Sequence, residues 1–199
     1  MFEKTLVKGA KDALALLGQG DLLSNSYLAG GTALALQLGH RVSVDFDFFT
    51  TDDFTPRIIS QELSKLGQFK EIQADKGSVF GDFKGVKFSL FTYQYPIVFP
   101  LLKYLDLRIA DIRDIAAMKI DAISSRGLKR DFVDMFFICQ SGHSLNDVMG
   151  FYQKKYGKLA FNFIHIQKSL VFFGDADPEE MPKMLKLVRW KEINKEFFL

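Results

Sequence analysis

Hydrophobic and polar positions follow two rhythms along this chain, one of strands and one of helices. Leu6, Ala10, Ala13, Leu14 and Leu17 recur at helical spacing, which predicts an amphipathic helix within residues 2–18 packed across a sheet. Tyr27, Leu28 and Ala29 form a short apolar run that reads as a strand. Gly30-Gly31 ends it, where a positive φ or a close backbone approach costs little. Residues 32–38 are rich in helix formers and Gly39 suits a left-handed cap, so a helix of about two turns starting at Thr32 is expected. Alternation then takes over. Val42, Val44, Phe46 and Phe48 fall on one face, which reads as core, and Ser43, Asp45 and Asp47 on the other.

Thr55 as N-cap and Pro56 at the first helical position predict a helix to Leu66, closed by Gly67. Residues 69–74, 78–83 and 86–93 are strand-like and are separated by Lys76-Gly77 and Lys84-Gly85, an antiparallel meander; residues 104–109 read as one further strand. Beyond them the period is helical. Asp111 caps a helix through Arg126, a second begins with Arg130, and a third runs from Ser144 to Tyr156. A fourth covers residues 158–173 with Phe161, Ile164, Leu170 and Val171 in its core, and residues 174–180 read as a solvated acidic connection. The last amphipathic segment, residues 183–199, carries Trp190 against the preceding helices. The fold class expected is α+β: a sheet lobe over residues 1–105, then a helical lobe over residues 106–199, with a cleft between them.

Composition changes this picture little. The 199 residues, 48% hydrophobic and 25% charged, suit an ordinary globular chain long enough for a substantial core. Most of the 21 phenylalanines are expected in that core. A net charge of +2 is too small to argue nucleic-acid binding from electrostatics. The clusters Arg126, Lys129, Arg130 and Lys154, Lys155, Lys158 read as solvated helix ends. The single cysteine, Cys139, excludes an internal disulfide and lies in an apolar run as a small hydrophobe; with no signal-like N-terminus, a cytoplasmic protein is expected. No apolar run approaches a membrane span, and His40, His143 and His165 lack zinc spacing.

The chemistry concentrates in residues 30–47. The first N–H groups of a helix have no intrahelical acceptor, so a Gly30-Gly31-Thr32 entry makes a seat for phosphate. Asp45 and Asp47 lie two residues apart on a strand, roughly 7 Å between Cα atoms, and their like charges are unfavourable without a cation between them. Mg²⁺ meets that need with one or two carboxylates and completes its shell with water and substrate phosphates. Metal face and anion seat together are what in-line displacement on a nucleoside triphosphate requires. Either half alone is a weak signal; their ordered combination carries the reading.

Gly30-Gly31-Thr32 with Asp45-x-Asp47 on the next strand resembles the signature of the DNA polymerase β-like nucleotidyltransferase superfamily. The longer run from Ala29 to Phe49 is similar to the AbiEii/AbiGii toxin family. Residues 114–135, with Lys119 and Arg130-Asp131-x-x-Asp134, resemble that family's later helical motif. The resemblance implies a nucleotidyltransferase-fold lobe with a mixed, largely antiparallel sheet, and transfer of a nucleoside monophosphate from an NTP to a hydroxyl. It makes Asp45 and Asp47 the Mg²⁺ ligands, and Gly30, Gly31, Thr32, Ser43 and Arg130 the nucleotide seat. Lys119 balances the triphosphate charge, while Asp131 and Asp134 orient Lys119 or support the metal. It implies a toxin of a toxin–antitoxin or phage-defence module, with an antitoxin partner and RNA, tRNA included, as acceptor. One departure stands out: where the superfamily's third carboxylate is expected, the strand over residues 85–93 carries Ser89. Asp82 and Asp106 are candidate substitutes. Ser89 keeps open a catalytically impaired nucleotide-binding or partner-binding domain, and a small-molecule nucleotidyltransferase of the antibiotic-modifying kind is a third reading.

Overall fold

A computed structural model describes residues 1–157 and 162–197. Seven strands build one mixed sheet: β1 (Ser26–Ala29), β2 (Asp45–Thr50), β3 (Phe69–Asp75), β4 (Ser78–Phe83), β5 (Val86–Thr92), β6 (Leu102–Tyr104) and β7 (Leu107–Ile109), in the order β3-β4-β5-β2-β1-β7-β6. β2 runs antiparallel to β1 and parallel to β5, β7 is parallel to β1, and the other neighbours are antiparallel. The sheet is thus mixed and largely antiparallel, and its last strand ends at Ile109.

Alternation decides which face is which. Phe46 and Phe48 of β2 and Phe88 and Leu90 of β5 are all buried, while Asp45, Asp47 and Phe49 are half-buried on the opposite face. Val44 departs from the expected core face: it is half exposed, and Ser43 is buried in its place. The reason is local. Residues 41–44 precede the continuous ladder and take part in β-pairing only through isolated bridges, Leu6 to Ser43 and Arg41 to Met184, so the strand's phase does not reach them.

The helices are α1 (Ala10–Leu17), α2 (Gly30–Leu38), α3 (Pro56–Leu66), α4 (Ile112–Ser125), α5 (Lys129–Gln140), α6 (Leu145–Tyr156), α7 (Phe163–Leu170) and α8 (Trp190–Glu196). Helix α1 is shorter than expected. A 3₁₀ turn at Glu3–Thr5 precedes it, and Gly9 at φ +82° separates the two. Helix α2 begins at Gly30 rather than Thr32, because Gly30 at φ +65° turns the chain directly out of β1; it ends at Gly39, also φ +65°. Helix α4 starts as expected, Asp111 accepting from the Arg113 N–H, and α6 carries a full Ser144–Asp147 capping box.

Four further expectations need correction. Residues 104–109 are the turn and arms of a hairpin, since Leu105 and Asp106 both take positive φ. Ile164 and Val171 are 64% and 41% exposed, so of the proposed core of the fourth helix Leu170 holds; Lys158 and Phe161 lie outside the described residues. Lys129 and Lys155 are buried, not solvated. Residues 174–180 are a clamp: the Lys129 ammonium donates to the Asp177 and Glu179 carbonyls, and the Trp190 indole donates to the Asp177 carboxylate at 2.7 Å. The strap after it runs beside residues 40–42. Val42 N–H donates to Lys183 C=O at 2.8 Å, and Leu185 N–H to His40 C=O at 2.8 Å.

Candidate active site

Strand pairing brings the acids and the glycine turn together. Ala29, the last residue of β1, lies opposite Asp47, so the Gly30 turn leaves the sheet directly beside that carboxylate. A Cβ on Gly30 would sit 2.8 Å from Asp47 Oδ2, and one on Gly31 would sit 2.4 Å from the Arg41 guanidinium. A Cβ at either position would therefore displace a side chain of the site, and Gly30 also suits its positive φ. Helix α2 has no side-chain cap, which leaves its first N–H groups to the cleft.

Thr32 lies elsewhere than the cleft surface. It is 1% exposed, and its hydroxyl is engaged with the Asp45 carbonyl and, at 2.8 Å, with the Ser43 hydroxyl. It ties the start of β2 at Asp45, and Ser43 before it, to α2. Asp45 Oδ1 is buried and has no hydrogen-bond partner among the described residues. Asp47 Oδ1 accepts from the Ser89 hydroxyl at 2.6 Å, and Ser89 is its register partner on β5. Ser89 thus occupies the place beside Asp47 where a third acid was sought. Asp82 caps the β4–β5 turn by accepting from Gly85 N–H, and Asp106 pairs with Lys103 at the exposed β6–β7 turn; neither reaches the site. Burial pushes the Asp47 carboxyl up; the Ser89 hydroxyl opposes this and the Asp45 charge adds to it.

An orphaned carboxylate oxygen beside a second, desolvated carboxylate is a donor set suited to a hard divalent cation. Among the described residues, no cluster of three or more His, Cys, Asp or Glu side chains could hold a metal alone. Two protein ligands with the rest from water and phosphate is the pattern Mg²⁺ adopts with nucleotides.

Behind this face lies a buried charge network. Asp134 of α5, wholly buried, accepts from Arg41 Nε at 2.6 Å and Arg41 Nη2 at 2.8 Å, from His40 Nε2 at 2.8 Å, and pairs with Lys119 Nζ at 2.5 Å. Lys119 of α4 also donates to Asp131 Oδ1 at 2.8 Å, and Asp131 accepts from Arg126 Nε at 2.9 Å. Burial alone would raise the Asp134 carboxyl; Arg41 and Lys119 outweigh it and hold it well below the usual carboxylate range. Asp131 is lowered too, Lys119 and Arg126 prevailing over burial. For His40 burial prevails over Asp134, which keeps the imidazole neutral. Asp131 and Asp134 do not line the cleft; both pair with Lys119, which does.

Two adjoining cavities share Gly30, Asp47, Lys119 and Arg126. One, about 460 Å³, is cationic, lined also by Gly31, Arg41, Ser43, Asp45, Arg130 and the strap residue Lys183. The other, about 370 Å³, is aromatic, lined also by Phe49, Phe91, Tyr93, Met118 and Asp121. Of the residues named from sequence, Gly30, Gly31, Ser43, Asp45, Asp47, Lys119 and Arg130 meet here. Arg41, Arg126, Lys183 and Asp121 were not among them. Arg41 sits in the motif beside the acids and Arg126 in a basic cluster, but Lys183 and Asp121 carry no local signal.

A glycine turn at a helix start, paired acids on the adjoining strand and a lysine facing them across a cleft define a protein of the nucleotidyltransferase fold. Solved structures agree on that fold. The nucleotidyltransferase toxin MenT4 (Rv2826c) of Mycobacterium tuberculosis H37Rv superposes with a TM-score of 0.62 at 17% identity, over 94% of this chain and 81% of its own. JHP933 of Helicobacter pylori gives 0.55 at 16% identity, over 98% and 87%. A family model described as nucleotidyl transferase AbiEii toxin, type IV TA system, matches residues 12–109. An uncharacterised protein of Aquifex aeolicus (strain VF5), aq_aa25, is 38% identical over 98% of this chain and 95% of its own. Residues 12–109 thus form an AbiEii nucleotidyltransferase toxin domain. Among the described residues, no helix is long and apolar enough to cross a membrane.

Proposed function

We propose that this protein transfers a nucleoside monophosphate from an NTP to a hydroxyl of an RNA acceptor, tRNA among the candidates, releasing pyrophosphate, as the toxin of a toxin–antitoxin or phage-defence module. The observation that carries the reading is Asp45 Oδ1, buried without a partner among the described residues, beside Asp47 and next to the open N-terminus of α2. A lone solvated pair of acids would leave no such oxygen.

Asp45 and Asp47 are the residues that hold Mg²⁺, which supplies Lewis-acid polarisation of the phosphate and charge neutralisation when bound with NTP. The α2 N–H groups at Gly30-Gly31 bind phosphate oxygens, with Ser43 and Arg130 on the same wall. Lys119 spends two of its three protons on Asp131 and Asp134 and keeps one for the cleft, so its charge is placed before the substrate arrives. Asp131 and Asp134 act as positioning residues through Lys119, and Thr32 acts through the Asp45 backbone.

Ser89 supports a second reading, a domain that binds nucleotide but transfers slowly or not at all. Its hydroxyl donates to Asp47 and cannot take the acceptor's proton as a carboxylate does. Transfer from α-labelled NTPs, each in turn, with Mg²⁺ and total cellular RNA separates the two. Label on RNA that Asp45→Ala/Asp47→Ala abolishes is the expected result. Wild-type protein that binds NTP by calorimetry yet labels no RNA would favour the second reading.

A further inference from the structure

The aromatic cavity has no part in the chemistry described so far. Its floor is a row of rings on the acid-bearing face of the sheet: Phe49 stacks on Phe91 with centroids 5.4 Å apart, and Tyr93 meets Phe49 at 5.2 Å. Phe80 buttresses Phe91 from the far side at 5.1 Å. The rings are half-buried, and Ile115 and Met118 of α4 face them across the cavity. This makes a slot with an aromatic wall and an aliphatic wall. Its volume of about 370 Å³ lies at the small end of ligand pockets, roughly 300–1,000 Å³.

The slot joins the cationic cavity at Asp47, Lys119 and Arg126, and that junction decides the occupant. An NTP has one polyanionic end and one aromatic end, and its α-phosphate, the reacting centre, lies between them. The two cavities repeat that order, cations and helix N–H groups on one side, rings on the other, metal-binding carboxylates in the middle. We infer that the aromatic cavity holds the base of the incoming NTP, stacked on the Phe49–Phe91–Tyr93 wall, and that Asp121 at its mouth selects the base. This rests on the transferase reading.

Asp121 forms no salt bridge among the described residues, and its exposed carboxylate lines the slot two residues beyond Lys119 on α4. An ionised carboxylate only accepts hydrogen bonds. It therefore suits a base edge bearing an amino group, as in cytosine, adenine or guanine, and disfavours uracil, whose carbonyl oxygens flank a single N–H.

The test is calorimetric titration of the full chain, with Mg²⁺, using CTP, ATP, GTP, UTP, inorganic tripolyphosphate, cytidine and a short single-stranded RNA. Phe91→Leu keeps an apolar filler while removing the ring, and Asp121→Asn keeps the shape while adding donors. Phe91→Leu is expected to weaken CTP, ATP and GTP about tenfold or more and to leave tripolyphosphate unchanged. Wild type is expected to bind UTP most weakly of the four, and Asp121→Asn to bring UTP to within a few-fold of CTP. Equal NTP affinities in wild type and Phe91→Leu, or a parallel loss of tripolyphosphate, overturns the assignment. So does a Phe91→Leu variant that loses RNA affinity alone, because the slot then belongs to the acceptor. Unchanged base preference in Asp121→Asn overturns the selector role. Wild type that binds cytidine but not tripolyphosphate would sink the transferase reading while the aromatic slot stands.

Discussion

Asp134 accepts from more side chains than any other carboxylate near the site. His40, Arg41 and Lys119 converge on it from a loop and a helix distant in sequence. Removing Asp134 leaves the Arg41 guanidinium buried without its carboxylate and Lys119 with Asp131 alone, the situation in which losses reach about 3–5 kcal/mol. Asp134→Ala is expected to lose that much in urea unfolding at neutral pH. The sign with pH follows from its lowered folded-state pKa. The unfolded carboxyl binds protons first, so the contribution of Asp134 is complete above the ordinary carboxylate range and is lost as pH falls through and below it. Wild type should therefore lose stability steeply in acid, and Asp134→Ala less so, in parallel urea titrations. Asp47 behaves in the opposite sense. Its burial beside Asp45 disfavours the charged form, and Asp47→Asn is expected to raise the melting temperature of metal-free protein while abolishing transfer.

Helix α2 gains its role from how it starts. Gly31→Ala places a methyl where an Arg41 nitrogen sits 2.4 Å away, so either the turn opens or Arg41 leaves Asp134. The expected result is loss of NTP affinity by about tenfold or more, with a lowered melting temperature, because strained turns and cut ion pairs both carry cost. NTP titration and a thermal melt check both. This unit was the most legible part of the sequence, since strand, glycines, helix and acids are contiguous and each local preference agrees with the fold. Arg41 to Asp134 spans 93 residues, and no local pattern announces such a pair. The strap was illegible for a related reason. Its backbone bonds to His40 and Val42 obey no period, and Lys129, which holds the clamp that leads into it, sits in a stretch that reads as a solvated helix start. Val44 misled because alternation was extended past the end of the ladder. Lys129→Met is expected to free residues 177–186, seen as faster amide exchange there with α2 unaffected.

The sheet and the helices are held to each other by more than apolar packing. Lys155 of α6, fully buried, donates to Asp114 of α4 at 2.9 Å and to the Pro96 carbonyl at 2.8 Å; Asp114 in turn accepts from the N–H groups of Val98 and Phe99. Two helices and the connection leaving β5 thus share one ion pair. The Arg41–Asp134 pair and the strap stitch the same two layers on the other side of the cleft. With the active cleft built across that seam, separate unfolding of the layers would have to expose both charge groups at once. The chain is therefore expected to unfold in one transition, with Trp190 fluorescence and far-UV circular dichroism coincident in urea. Lys155→Met probes the seam. It leaves Asp114 buried with two backbone donors but no counter-charge, so the loss should fall near the lower end of roughly 3–5 kcal/mol. Lys155→Met combined with Asp114→Asn removes both charges, and the pair should recover part of that loss rather than add to it. Additive losses would mean that the two groups act independently, and that the seam is held by packing alone.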